Sequence, residues 1–379
     1  MARRTHTKSR NGCLECKRRH VKCDEMQPIC SNCTTAGLVC DYGSRLLSAT
    51  RRTPLLGARA QSLPTTPAPG GTPLESPAGY QPVNMLHVEL FHNLHTQIRT
   101  VLDPNRSIAW LADDVAYLVT TPYLVNELLA FSALHLSTTR PDRREYYRYH
   151  AAQLQTQALS IFKESSPQVT QETCIPLFVF AVSLGIHTLC DTLIYREGHF
   201  ANFLDRFVHF FRLYYGVRTI VDESWHMIQD TPLASSFNIG TDLYRFNGHL
   251  GPVCQTLLSL INRANLGKEL TDIYRQAIES LQSCLKVIED RSELHVGINA
   301  VTTWPILIRI EFAELIEQRR PEAMVILAHY ACTLHLFRDI WLFGDSGAFI
   351  IREVTGYLGP EWDEWMAWPN QMLRSSPST

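Results

Sequence analysis

Six cysteines crowd the N-terminal end of the chain, at positions 13, 16, 23, 30, 33 and 40. They read Cys13-x2-Cys16-x6-Cys23, then six residues, then Cys30-x2-Cys33-x6-Cys40, one unit repeated 17 residues later. Thiolates ligate metal, and tetrahedral zinc takes four ligands. Six sulfurs serve one zinc with two left over, or two zincs if two sulfurs bridge. The repeat favours the second arrangement, because each unit then contributes equally. The shared ligands are expected to be the cysteines that head the units, Cys13 and Cys30. The units differ in the six residues after their second cysteine. The first carries Lys17, Arg18, Arg19, His20, Val21 and Lys22; the second carries Thr34, Thr35, Ala36, Gly37, Leu38 and Val39, without a charge. One half suits phosphates and base edges, and the other completes a metal cage.

The rest of the chain sets this cluster apart. Of 379 residues, 45% are hydrophobic and 19% charged, which excludes a wholly disordered chain, a collagen-like chain and a polytopic membrane protein. The net charge of −2 hides a split. Residues 1–52 hold eleven Lys/Arg against four Asp/Glu, a balance of +7, and the remainder stands at −9. Such a basic head on an acidic body points to a polyanionic partner met by the head. Met1–Asn11 is polar and basic with no apolar signal region, so a reducing compartment is expected, where clustered cysteines are metal ligands more often than disulfides. A module of fewer than about 40 residues hardly folds without its metal, so zinc binding and folding should be one event.

At these residues the resemblance becomes explicit. The run Gly12-Cys13-Leu14-Glu15-Cys16-Lys17-Arg18-Arg19-His20-Val21-Lys22-Cys23-Asp24 with Pro28-x-Cys30 resembles the fungal-type Zn2Cys6 binuclear cluster of transcription factors. The resemblance implies two zinc ions held by Cys13, Cys16, Cys23, Cys30, Cys33 and Cys40, with Cys13 and Cys30 bridging. It implies a turn at Pro28, often cis, and a short helix after Cys13 whose C-terminal end enters the major groove of double-stranded DNA. Arg19 and His20 would then read bases, and Lys17, Arg18 and Lys22 would mainly meet phosphates. Guanine O6 and N7 suit Lys and Arg donors. His20 stands where the family most often has Lys; a neutral imidazole has a smaller reach and one ring donor, and is expected to pack or make a single hydrogen bond.

Four segments emerge from the pattern: a basic arm at 1–12, the zinc module at 13–43, a linker at 44–83 and a helical body at 84–374. Between 44 and 82 lie seven prolines and four glycines, a composition expected to stay disordered. Those prolines also break any coiled coil, so the head should bind alone or dimers should form through the body. From Asn84 onward, helical spacing recurs with no long polar/apolar alternation, which predicts one all-α domain of about ten helices. The expected helices include one opened by Thr121-Pro122 and closed by Arg140-Pro141, Cys174–Leu189, His199–Tyr215, Thr303–Gln318 and Pro321–Phe343. The stretch Thr173–Cys190 has no charged side chain, but its Pro176, Ser183 and His187 and its acidic flanks favour a buried core helix over a membrane span. Arg140-Pro141, the apolar 174–190 helix, Leu327-Ala328-His329-Tyr330 and Glu361-Trp362-x2-Trp365-x2-Trp368-Pro369 resemble the helical regulatory domain of fungal sterol-uptake regulators and of factors that control secondary-metabolite clusters.

No catalytic constellation competes with this reading. Gly344-Asp345-Ser346-Gly347 spells a serine-protease nucleophile loop, yet no base or β-barrel pattern accompanies it, and an interhelical connection is expected. No HExxH, P-loop or GxGxxG occurs. His187, His329 and His335 read as core histidines, and Phe200, Phe203, Phe207, Phe210 and Phe211 as core rather than the lining of an apolar ligand pocket. The acids and tryptophans of 361–368 mix as in activation segments, but a terminal helix packing its tryptophans on the body is the stronger expectation. Residues 13–40 contain no Phe, Tyr or Trp to stack an unpaired base, which disfavours RNA. The expectation is therefore a nuclear, non-enzymatic transcription regulator that binds a short GC-containing duplex site and works with the transcription machinery. By resemblance it serves a secondary-metabolite gene cluster, with sterol or lipid metabolism next.

Overall fold

The computed structural model describes residues 12–26, 29–36, 38, 40, 83–98, 120–228, 246, 248–290 and 294–375. The chain divides into two units, Met1–Val83 and Asn84–Thr379. The predicted linker, all but Gly12 of the basic arm, and the turn at Pro28 lie outside the described residues, apart from Val83. In the first unit, α1 spans Leu14–Arg18 and α2 spans Ser31–Ala36.

Among the described residues the second unit contains twelve α-helices and no strand. They are α3 (Met85–Asn93), α4 (Pro122–Thr139), α5 (Arg144–Ser165), α6 (Cys174–Ile194), α7 (Phe200–Ile228), α8 (Pro252–Arg263), α9 (Lys268–Asp290), α10 (Leu294–Leu307), α11 (Ile310–Glu317), α12 (Pro321–Leu336), α13 (Ser346–Leu358) and α14 (Ala367–Ser375). A π-helical turn extends α3, and short 3-10 turns precede α5 and follow α13. Helix α12 is buried all round, as a helix apolar on every face must be, and α9, α13 and α14 pack on it. Trp304 of α10 is fully buried: its Nε1 donates to the Ala277 carbonyl at 3.1 Å, and its ring stacks on Tyr330 at 4.3 Å.

Four helices depart from their predicted bounds, the simplest being Cys174–Leu189, which runs on to Ile194. Thr303–Gln318 is two helices that break after Leu307. The freed Leu307 carbonyl accepts from Gln276 Nε2 at 2.8 Å, and the Arg309 N–H donates to Gln276 Oε1 at 3.2 Å, so one side chain satisfies both. Pro305 within α10 has no N–H for the Val301 carbonyl, which accepts from the Tyr330 hydroxyl at 3.2 Å instead. Helix α12 stops at Leu336, short of Phe343. Helix α7 runs on to Ile228 through Gly216, because Trp225 and Ile228 pack against the core. Thr121 sits at the N-cap of α4 as expected, but its hydroxyl makes no capping bond; its carbonyl accepts from Leu124 and Val125.

Helix α6 is the one described helix long and apolar enough to cross a membrane, and 72% of its apolar window is buried within the body. Residues 337–345 connect α12 to α13, so Gly344 and Asp345 end the connection while Ser346, fully buried, and Gly347 already belong to α13. A Cβ on Gly347 would lie 2.5 Å from the Ala331 carbonyl, so the glycine serves the close approach of two helix backbones.

Candidate zinc centre and basic segment

Each repeat uses its first cysteine to start a helix. Cys13 is the N-cap of α1, where its Sγ accepts from the Cys16 N–H at 3.4 Å and its carbonyl from Lys17 at 3.1 Å. In the second repeat the Cys30 carbonyl accepts from Cys33 and Thr34, both at 3.0 Å. The third cysteines close the units in the same way. Cys13 N–H donates to Cys23 Sγ at 3.5 Å, and Cys30 N–H to Cys40 Sγ at 3.3 Å. The sequence repeat is thus a structural repeat.

Together the repeats bring the six sulfurs into two tetrads, Cys13/Cys16/Cys23/Cys30 and Cys13/Cys30/Cys33/Cys40, each with all sulfurs within 4.8 Å of one another. Both tetrads contain Cys13 and Cys30. Sulfurs at the vertices of a tetrahedron around zinc stand about 3.8 Å apart, given a Zn–S bond of about 2.3 Å. Cys13–Cys30 and Cys13–Cys33 measure 3.7 Å, and Cys16–Cys30 measures 3.5 Å. The donor set therefore fits two four-coordinate zinc ions with two sulfurs in common.

The thiols differ in how readily they ionise. Burial opposes ionisation at Cys13 and Cys30, but the N–H groups of Cys16 and Cys33 and the neighbouring thiols outweigh it; Cys13 lies below the ordinary thiol range and Cys30 falls to about 6. Burial and the adjacent sulfurs push Cys16 up and Cys33 to about 12, and burial also raises Cys40. The five body cysteines are buried free thiols; at Cys254 burial raises the thiol to about 12.

The basic segment leaves α1 through a Schellman turn. Val21 N–H donates to the Cys16 carbonyl at 3.1 Å and His20 N–H to the Lys17 carbonyl at 3.2 Å, with His20 left-handed at φ 55°. Glycine is the usual residue at this position, and the second repeat has one there, Gly37. Lys17, Arg18, Arg19, His20 and Lys22 are all exposed. Three contacts that sequence reasoning missed hold this surface. Asn32 Nδ2 of α2 donates to the Lys22 carbonyl at 2.8 Å, and Asp24 Oδ2 accepts from the Ser31 N–H at 3.1 Å. Glu15 grips Arg18 through two hydrogen bonds, from Nε at 3.0 Å and Nη2 at 2.8 Å. The Glu-x-x-Arg spacing was the available signal for the last.

Residues 11–48 match the profile of the fungal Zn(2)-Cys(6) binuclear cluster domain. The N-terminal unit carries a Zn2Cys6 cluster, a two-zinc module. The likeness extends past that cluster. A Zn(2)-C6 fungal-type transcription factor of Gibberella zeae is 24% identical over 434 aligned residues, covering 97% of this chain and 86% of its own length. A second, afumD of Aspergillus fumigatus, is 24% identical and covers 87% of this chain and 86% of its own. The sterol uptake control protein 2 of Candida albicans is 60% identical, but over 40 residues, 11% of this chain and 6% of its own length.

The other sequence-level candidates fall into the core of the body. Phe203, Phe207, Phe210 and Phe211 are buried among one another. The cavity beside Phe211, lined also by Tyr214, Pro305 and Ile310, measures about 10 Å³, the space of a single water. His187 Nδ1 bonds Glu127 at 2.9 Å in the interior, and His329 Nδ1 bonds the Val325 carbonyl at 2.9 Å. Trp362, Trp365 and Trp368 pack on the core, with Trp368 stacked on His329 at 5.5 Å.

Proposed function

We propose that this protein is a nuclear transcription regulator that binds duplex DNA through its Zn2Cys6 cluster and carries an all-α regulatory body. Cys13, Cys16, Cys23, Cys30, Cys33 and Cys40 hold the two zinc ions, with Cys13 and Cys30 bridging. Arg19 and His20 meet base edges, and Lys17, Arg18 and Lys22 meet phosphates. The observation that carries this reading is the pair of overlapping sulfur tetrads with an exposed basic turn attached to them. Zinc supplies the rigidity, so the lysine- and arginine-rich turn meets the duplex as a pre-formed surface.

The division of the chain is arm 1–12, cluster 13–43, linker 44–83 and body 84–374. Alignment across nearly the whole chain with two fungal-type transcription factors supports a regulatory rather than enzymatic body. The body's resemblance to secondary-metabolite regulators supports such a gene cluster as the target. Likeness to a sterol uptake control protein spans too little of the chain to bear on a sterol pathway. Selection of bound duplexes from a random pool by the zinc-loaded protein, with elemental analysis of the same sample, tests the proposal. Two zincs per chain and a recurring GC-containing site are expected; a zinc-free protein, or a pool that never converges, would overturn it.

A further inference from the structure

The two ends of the Glu15–Arg18 pair are unequally exposed. The Glu15 side chain retains 16% of its accessible surface and the Arg18 side chain 75%. The carboxylate is therefore the covered foundation and the guanidinium the presented end. Glu15 engages one edge of the guanidinium fork, Nε and Nη2. A guanidinium has five N–H donors in a fixed plane, so this leaves Nη1 and the outer hydrogen of Nη2 directed away from the carboxylate. That remaining edge matches a pair of acceptors, whether two phosphate oxygens or guanine O6 and N7.

We propose that Glu15 is a positioning residue that fixes Arg18 as a two-pronged donor to the duplex. Resting on the DNA-binding function above, the inference changes the role of Arg18 from a loose counter-charge to an oriented contact. Arginine otherwise loses side-chain freedom on binding, and a contact whose rotamer is already held avoids that loss. The alternative is that Glu15 competes with DNA for Arg18. The two roles predict opposite signs. Removing Glu15 takes away a negative charge beside the DNA-binding surface, which by itself strengthens attraction to any duplex. Only a positioning role makes that removal weaken binding.

The experiment uses the full-length, zinc-loaded protein with a duplex selected from a random pool and a scrambled duplex of equal length. Glu15→Ala should weaken binding to the selected duplex about 3–10-fold, against the trend set by its charge. In an Arg18→Ala background the same change should weaken nothing, because the residue it positions is gone. Glu15→Gln keeps one acceptor oxygen and should fall between, which also serves if the alanine variant loses zinc. A loss shared by the scrambled duplex assigns the fork to phosphate, and a loss confined to the selected duplex assigns it to a base edge; both support the positioning role. Binding unchanged or strengthened in Glu15→Ala, or weakened equally without Arg18, overturns it. Failure of the parent protein to prefer any duplex would defeat the DNA-binding reading itself, a result distinct from either.

Discussion

The N-terminal unit and the helical body are held together by different physics. The head has a buried cluster made almost entirely of cysteines, to which Ile29 adds a partly buried side chain, and its two described helices are five and six residues long. Such helices have no independent stability, since nucleation costs more than one turn returns. The body buries its largest side chains, Trp304, Tyr330, Phe207 and Phe312 among them, in one apolar core that also encloses helix α12. Ligand bonds therefore hold one unit in shape, and excluded water holds the other. The lesson is that each unit can be unmade by a treatment that leaves the other intact.

The largest effect should come from the shared sulfurs. Cys13→Ser or Cys30→Ser removes a ligand from both metals, so the head should lose its zinc and its hydrogen-exchange protection while the body's helical circular dichroism and unfolding midpoint stay put. Loss of the body's cooperative transition in either variant would erase the distinction. The reverse test is Trp304→Ala, expected to cost the body about 3–5 kcal/mol in urea unfolding while zinc content remains at the parent value.

Acid sharpens the contrast. Burial lowers His329 to about 4, with the Val325 carbonyl partly opposing that shift. The unfolded imidazole takes up protons from about pH 6.5 downward and the folded one does not, so unfolding is favoured as pH falls. The stability from this group is complete above pH 6.5 and is lost progressively towards pH 4, by roughly 3 kcal/mol for a shift of this order. His329→Gln should flatten that part of the body's pH profile; an unchanged slope would remove His329 from the account. The head should also fail in acid, but with release of zinc as its thiolates are protonated, which a metal indicator tracks separately.

Smaller effects concern the duplex. Arg19→Ala should cost about 1–3 kcal/mol of base discrimination, whereas Lys22→Ala should weaken selected and scrambled duplexes alike and reduce the salt slope by about one. Equal behaviour of the two variants would dissolve the division between base and phosphate contacts. The smallest change is His20→Gly. It relieves a left-handed non-glycine backbone, stabilising the head by about 0.5–1 kcal/mol, while altering base preference through the lost imidazole. Zinc-dependent thermal melting measures the first and pool selection the second.

What the amino-acid order determined by itself is the local chemistry. The spacing of six cysteines, repeated after 17 residues, carries the expectation of zinc, its stoichiometry and a symmetric bridging pair, because ligand count and symmetry are properties of the list; the fold then places Cys13 and Cys30 in both sulfur tetrads. Helical periodicity likewise disclosed an all-α body, and the apolar character of 174–190 and 321–336 disclosed their burial. Tertiary structure decided whatever depends on a distant partner. The break after Leu307 is stable only because Gln276 lies across it, and Pro305 is tolerated because Tyr330 supplies the missing donor. The second repeat, uncharged in sequence, turned out to fasten the basic segment through Asn32, whereas the Glu15–Arg18 pair, three residues apart, was within reach of the sequence. Periodicity records which face of a segment avoids water, but it does not record which side chain, brought there by folding, will satisfy an exposed backbone group or hold a neighbouring charge.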